Sequence, residues 1–174
     1  MTWELLKTVI ILPGTVLVFV PVAIIITTYN SRFSFDLIGP GRLLFWPALA
    51  AAFLGLALAT WTVILFTKFG QGTPAPWDPP RKLVIRGPYR YVRNPMITGV
   101  LLLLLLLAET LLLQSWPVFL WLVAFYILNS IYFPLFEEKS LGKRFGEDYL
   151  EYKKHVPRWI PRLKPWTQTE KRGG

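Results

Sequence analysis

Two short runs of this chain carry residue types that could do chemistry. In the first, Arg93-Asn94-Pro95 precedes an apolar stretch, with Gly99 one helical turn inside it. Asn is a good helix N-cap, and Pro at the first helical position loses no hydrogen bond that the helix needs. A helix start of this kind offers free amide hydrogens and the positive end of the dipole, which suits an anion such as a carboxylate. Gly99 removes a side chain where a ligand or a neighbouring helix could approach. A well-capped helix with a packing glycine would use the same residues. The second run, Phe136-Glu137-Glu138-Lys139, places adjacent carboxylates at the end of another apolar stretch. They are costly there unless a cation meets them, and a helix C-terminus is the wrong end of the dipole for negative charge. Either Arg90, Arg93 or Lys139 pairs with them, or they receive a cationic ligand.

Four apolar stretches must position these runs: Thr8 to Thr28, Leu43 to Thr67, Met96 to Leu113 and Trp116 to Phe136. Each approaches the roughly 20 residues that cross a hydrocarbon core of about 30 Å. The first contains Pro13, Gly14 and Pro21, which predict a kink, and it lacks a small-x-small cleavage site, so it reads as a retained span. The last two stretches are joined only by Gln114-Ser115, so they form a hairpin that returns Glu137 and Glu138 to the face where Asn94 and Pro95 lie. The segment from Gly70 to Pro80 is too rich in Pro and Gly for a helix and reads as a stiff connector or lid. From Glu138 to His155, apolar residues recur every three or four positions among Lys, Arg, Glu and Asp, as in an interfacial helix. Val156-Pro157 stops that helix, and Arg158-Trp159-Ile160-Pro161 returns aromatic surface to the membrane. His155 reads as a solvated or capping histidine.

The expected fold class is therefore an all-α integral membrane protein with about four transmembrane helices and a cytosolic amphipathic C-terminal helix. Residues 1–67 supply an N-terminal helix pair; 68–174 supply the loop, the hairpin and the interfacial helix, all in one structural domain. Composition agrees. Of 174 residues, 53% are hydrophobic and 17% charged, and the mean hydropathy is +0.44, which excludes a disordered chain and argues against an ordinary soluble globule. With no Cys and one His there is no disulfide framework, cysteine nucleophile or His-rich metal centre. The net charge of +9 is distributed by segment: sixteen of nineteen Lys and Arg lie between Lys68 and Pro95 or after Glu137. The positive-inside rule then puts both termini and the middle loop in the cytosol. A nucleic-acid binder would need its basic residues on an extended soluble face.

Taken together, three ordered blocks resemble a known family. They are Gly87-Pro88-Tyr89-Arg90-Tyr91-Val92-Arg93-Asn94-Pro95-Met96-x-x-Gly99, the pair Glu137-Glu138, and Phe145-Gly146-x-x-Tyr149-x-x-Tyr152-x-x-x-Val156-Pro157-x-x-Ile160-Pro161. They look like the integral-membrane methyltransferases that include isoprenylcysteine carboxyl methyltransferase and the phospholipid N-methyltransferases, over roughly Gly72 to Pro161. The resemblance implies S-adenosylmethionine as methyl donor, bound at the cytosolic ends of the last two spans. Carried over, its pocket falls on Tyr91, Arg93, Asn94, Pro95, Gly99, Glu137 and Glu138. The carboxyl methyltransferases usually carry His where this chain has Asn94, whereas Asn-Pro-Met resembles the phospholipid branch.

The resemblance thus implies an enzyme of the inner membrane of a bacterium or archaeon, acting on a lipid or lipid-tailed acceptor, without metal or nucleic acid. The expected chemistry is isoprenylcysteine carboxyl methyltransferase-like, with phospholipid amine N-methylation as the alternative. A sterol-reductase-like enzyme shares a similar C-terminal block but is usually much longer. A non-enzymatic membrane scaffold is the alternative of another class, and it would have no reason to set Glu137-Glu138 opposite a capped Arg-Asn-Pro start. Tyr149 and Arg158 are the catalytic candidates and Tyr152 a substrate contact, placed near lipid headgroups by the interfacial helix. Replacing Glu137 or Glu138 by Gln is expected to weaken cofactor binding more than folding.

Overall fold

The computed structural model describes Ile11 and residues 14–72, 79–99 and 106–167. Among them the secondary structure is entirely helical: α1 (Thr15–Thr28), α2 (Phe45–Gly70), a 3-10 turn (Gly87–Arg90), α3 (Pro95–Thr98), α4 (Leu106–Leu113), α5 (Trp116–Tyr132) and α6 (Glu138–His155). Among the described residues, two helices are long and apolar enough to cross a membrane: Phe45–Gly70, and Trp116–His155, which runs through α5, a π-helical turn over Phe133–Glu137, and α6. The apolar part of the latter ends at Phe136. The first expected stretch is described as the shorter helix Thr15–Thr28, and Pro13 lies outside the described residues. The third is described only as α3 and α4, and most of the Gly70 to Pro80 connector, residues 73–78, is likewise outside them.

Side chains explain how the helices fit. α4 packs against both α2 and α5, α3 against α2, and α1 against α5. The tight positions are small: Ala48 and Thr62 on α2, and Ser115 and Val118 at the start of α5, are buried. Large apolar residues point outward instead, with Phe53 72% and Ile26 71% exposed. Contiguous apolar surface on this scale is what a helix shows when lipid is its solvent.

Proline shapes α1 locally. Val20 N–H reaches back to the Thr15 carbonyl, five residues away, in a π-helical turn. The Val16 carbonyl would next be met by the N–H of residue 21, but Pro21 has none. Trp121 of α5 fills the gap, its Nε1–H donating to that carbonyl at 3.1 Å. Pro134 sits in a second π-helical turn, where Glu138 N–H reaches the Phe133 carbonyl.

This second turn corrects the sequence reading of the glutamate pair. Glu137 and Glu138 do not end a helix, because the backbone passes through the π turn into α6 without unwinding. No dipole C-terminus therefore opposes them. A further correction concerns α6, which is not one regular helix: Gly146 has φ 55° and ψ −132°, a conformation open to glycine, so the axis breaks there. The helix stops at Val156, whose extended backbone precedes Pro157.

At the end of the molecule away from Glu138, the extended chain after α1 meets the end of α4. Asp36 N–H donates to the Leu113 carbonyl at 2.8 Å and Ile38 N–H to the Leu112 carbonyl at 2.9 Å, satisfying two terminal helix carbonyls. Gln114 takes a positive φ of 48°, which turns the chain from α4 into α5 within two residues.

Candidate active site

The Arg93-Asn94-Pro95 run is held by the chain's own tail. Arg93 N–H donates to the Pro157 carbonyl (2.9 Å), Arg162 N–H to the Tyr91 carbonyl (3.0 Å) and Trp166 N–H to the Arg90 carbonyl (2.9 Å). In return, Arg90 Nε–H donates to the Trp166 carbonyl at 3.0 Å. The Trp166 ring stacks on His155 with centroids 5.4 Å apart. Trp159 turns inward against Tyr126 of α5 and Phe133 of the π-helical turn. The post-helix segment thus straps the 90–93 turn to α6, a role beyond the membrane anchoring that its composition suggests.

Within that strap the side chains converge on Glu138. Its Oε1 accepts from Arg93 Nη1 at 2.9 Å and from Arg158 Nε at 2.6 Å, and Lys153 Nζ lies 2.8 Å from Oε2. The carboxylate is buried, with 3% of the side chain exposed, as is the Arg93 side chain at 9%. Burial pushes the Glu138 carboxyl up, but Arg158, Lys153 and Arg93 outweigh it and hold the group below the usual carboxylate range. Of the partners expected from sequence, Arg93 is the one found; Arg90 faces Trp166 instead. Three cations on one carboxylate leave a surplus of positive charge. The buried Nε–H of Arg93 and the Thr98 hydroxyl have no partner among the described residues. A buried donor without a partner costs about 1–3 kcal/mol, so the Arg93 Nε–H is chemically suited to an anion.

Glu137 is arranged differently. It is half-buried and makes no hydrogen bond or ion pair within 4 Å to a described residue, with Arg144 as its electrostatic neighbour. The adjacent carboxylates therefore divide: Glu138 is neutralised by three cations, whereas Glu137 has Arg144 as its charged neighbour among the described residues.

The remaining predicted positions fall around this pair. Asn94 occupies the N-cap position of α3 with Pro95 after it, yet its side chain makes no capping hydrogen bond. The side-chain capping expected from its residue type is thus not made; the Asn94 carbonyl accepts the first intrahelical bond, from Thr98 N–H at 2.9 Å. Gly99 faces α2: a Cβ there would meet Leu58 Cδ2 at 3.0 Å, so its missing side chain serves helix packing. Tyr149 is buried against the cluster, with Arg93 Nη1 3.4 Å from its hydroxyl. Burial and then the Glu138 charge push its phenol up to about 12, so it stays protonated near neutral pH. Tyr152 is buried too, and its hydroxyl donates to the Tyr89 carbonyl at 2.6 Å, which ties α6 to the 3-10 turn. Tyr91 contributes its backbone carbonyl to the strap. Among the described residues no group of His, Asp and Glu is placed to hold a metal ion.

Sequence reasoning missed Lys153, Thr98 and Trp166. Lys153 lies four residues after Tyr149, one helical turn along the same face, and that spacing was a legible signal. The strap pairs residues some seventy positions apart, and no local pattern announces it.

An all-helical chain with long apolar helices and a buried Arg-Glu cluster at one end is the setting in which the comparison with known families belongs. The family model described as phospholipid methyltransferase matches residues 45–148, more than half of the chain, and the protein belongs to that family of membrane methyltransferases, within the superfamily that includes isoprenylcysteine carboxyl methyltransferase-like proteins. No curated protein and no solved structure matches it.

Proposed function

We propose that the protein is an S-adenosylmethionine-dependent methyltransferase of the membrane, transferring a methyl group to a lipid or lipid-tailed acceptor. The observation that carries this reading is the division of labour at Glu137-Glu138 beside Arg93, in a chain of the phospholipid methyltransferase family. The donor presents an anionic carboxylate and cationic ammonium and sulfonium centres. Arg93 Nε, buried and unpartnered, suits the first; Glu137, without an ion pair, suits the second. Asn94, Pro95 and Tyr91 adjoin Arg93 in the chain and are assigned to the donor pocket with it, Glu138 holds Arg93 in position, and Gly99 lets α3 approach α2.

Bound S-adenosylmethionine supplies a methyl group on a sulfonium, so the new bond to the acceptor forms as the sulfur–carbon bond breaks and charge is neutralised. The protein's part is alignment and exclusion of water, which requires no triad. Arg158 and Tyr149 stand beside the cluster as orienting groups, and the protonated Tyr149 can donate a hydrogen bond but does not act as a base at neutral pH. Tyr152 packs beside Tyr149, ring centroids 6.3 Å apart, and is a substrate contact in this reading.

Two acceptors fit the reading. A carboxylate needs no base; an ammonium lipid must first lose a proton. The family match is consistent with either acceptor; Asn94, in the position usually held by His in carboxyl methyltransferases, is the residue that favours a phospholipid amine. The test is the pH profile of methylation with each lipid class. An amine acceptor gives a rate that rises with pH, while a carboxylate acceptor is flat above its pKa of about 4. Equal rates for water-soluble headgroups and their tailed counterparts would contradict a lipid acceptor, since the tail would contribute no binding energy.

A further inference from the structure

A second site lies on residues that this reading leaves unused. Beside the 3-10 turn is an open cavity of about 440 Å³ lined by Leu83, Ile85, Arg86, Gly87, Arg90 and Thr167. Its charged lining is two arginines and no carboxylate, and neither arginine has a carboxylate partner among the described residues. Arg86 is braced from behind, its guanidinium 4.2 Å from the centroid of the Phe69 ring; Arg90 is braced through Nε by the Trp166 carbonyl. Cation–π and main-chain contacts fix two guanidinium groups without neutralising them.

An apolar groove of about 380 Å³ runs along α2, lined by Phe53, Leu56, Ala57, Thr60, Trp61 and Ile64. The spacing of three and four puts them in one stripe, and from Phe53 to Ile64 it is about 16 Å long. Cavity and groove meet. Gly87, in the lining of the cavity, has φ +52°, and a Cβ there would stand 3.1 Å from Trp61 Cζ2, in the lining of the groove. Polar and apolar compartments thus abut where the apolar helix gives way to the basic face.

We propose that the cavity and the groove together bind a membrane lipid bearing a phosphate headgroup, with the phosphate between Arg86 and Arg90 and an acyl chain along the stripe from Trp61 to Phe53. Charge complementarity selects the head, because guanidinium forks match phosphate oxygens. The groove adjoining the cavity selects a ligand that carries a tail. The site shares no residue with the Arg93-Glu138 cluster, so it holds a lipid whether or not that lipid is the methyl acceptor.

Native mass spectrometry of the detergent-purified full chain, titrated with phosphatidylglycerol, tests this. Wild-type protein retains the lipid; diacylglycerol, lacking phosphate, and glycerol phosphate, lacking tails, each bind at least tenfold more weakly. Arg86→Gln, which leaves the Arg90–Trp166 contact in place, weakens phosphatidylglycerol binding roughly tenfold, and Ala57→Trp, which fills the groove, does the same. Affinity for S-adenosylhomocysteine is unchanged in both, and thermal unfolding in the same detergent checks that both variants are folded. Wild-type affinity for phosphatidylglycerol in either folded variant overturns the proposal. So does glycerol phosphate competing as well as the lipid, which would make the cavity a site for free phosphate. A dimer lost in Ala57→Trp with lipid binding intact would assign the groove to a second copy of the chain and overturn it likewise.

Discussion

Glu138 answers three cations, so the consequence of removing its charge is set by what remains behind. In Glu138→Gln the buried Arg93 loses its carboxylate, and an uncompensated buried charge costs about 3–5 kcal/mol. The expected result is a large drop in thermal unfolding temperature, against the sequence-based expectation that this substitution weakens cofactor binding more than folding. The pH dependence follows from the same contacts. The Glu138 carboxyl is depressed below its unfolded value of about 4.3, so its stabilisation is fully present above that value and is lost as pH falls through the lower folded pKa. Unfolding temperature should be level from pH 7 to about pH 5 and then fall, and Glu138→Gln should flatten that acid limb. Glu137→Gln is the contrasting variant. With no ion pair to break, it should unfold within a few degrees of wild type but bind S-adenosylhomocysteine about 10–100-fold more weakly, from a charged hydrogen bond of about 1.5–3 kcal/mol. Unchanged binding measured by calorimetry would make Glu137 structural. That this glutamate pair returns to the face of Arg93 was legible in the sequence, because a two-residue turn forces the hairpin, and the structure sets Glu138 against Arg93. Which glutamate is free was not, since Arg158 and Lys153 arrive by a fold-back that no spacing encodes.

At the scale of elements, proline positions were legible and their compensation was not. Pro21 announces a distorted α1, but only the packed structure shows Trp121 supplying the missing donor to Val16. Trp121→Phe leaves that carbonyl unpartnered and should cost about 1–3 kcal/mol. In a Pro21→Ala background, residue 21 regains an N–H able to reach Val16, so the same substitution should cost less. A double-mutant cycle by thermal unfolding measures this coupling, and strict additivity would break the link. Gly87 is the other element-level test. Its positive φ and the 2.9 Å approach of Leu65 Cδ1 to a built Cβ predict that Gly87→Ala destabilises by about 2–4 kcal/mol. The break at Gly146 was read as continuous helix because amphipathic spacing persists across it; backbone conformation at a glycine leaves no trace in hydrophobic periodicity.

The molecule as a whole is organised by where its charges fall. Residues 29–42 and 114–115 hold two of nineteen Lys and Arg, while sixteen lie in the 68–95 segment and the tail. The structure gathers these two basic segments, pairing the 90–93 turn with the tail, and sets the chain after α1 against the end of α4. From this segregation we expect a cytosolic C-terminus, and a reporter fused after Gly174 that is active only on the outer face would contradict it. Charge asymmetry and apolar length made the helical class legible. The tertiary strap, built from backbone hydrogen bonds over large sequence separations, was not. The central claim, that this chain moves a methyl group from S-adenosylmethionine to a lipid, is tested most directly by incubating the purified protein with methyl-labelled S-adenosylmethionine and a total lipid extract, then counting label in the organic phase. The account predicts a labelled lipid product, strongly reduced in the folded Glu137→Gln variant. An organic phase without label, from wild-type protein that also fails to bind S-adenosylhomocysteine, would contradict it.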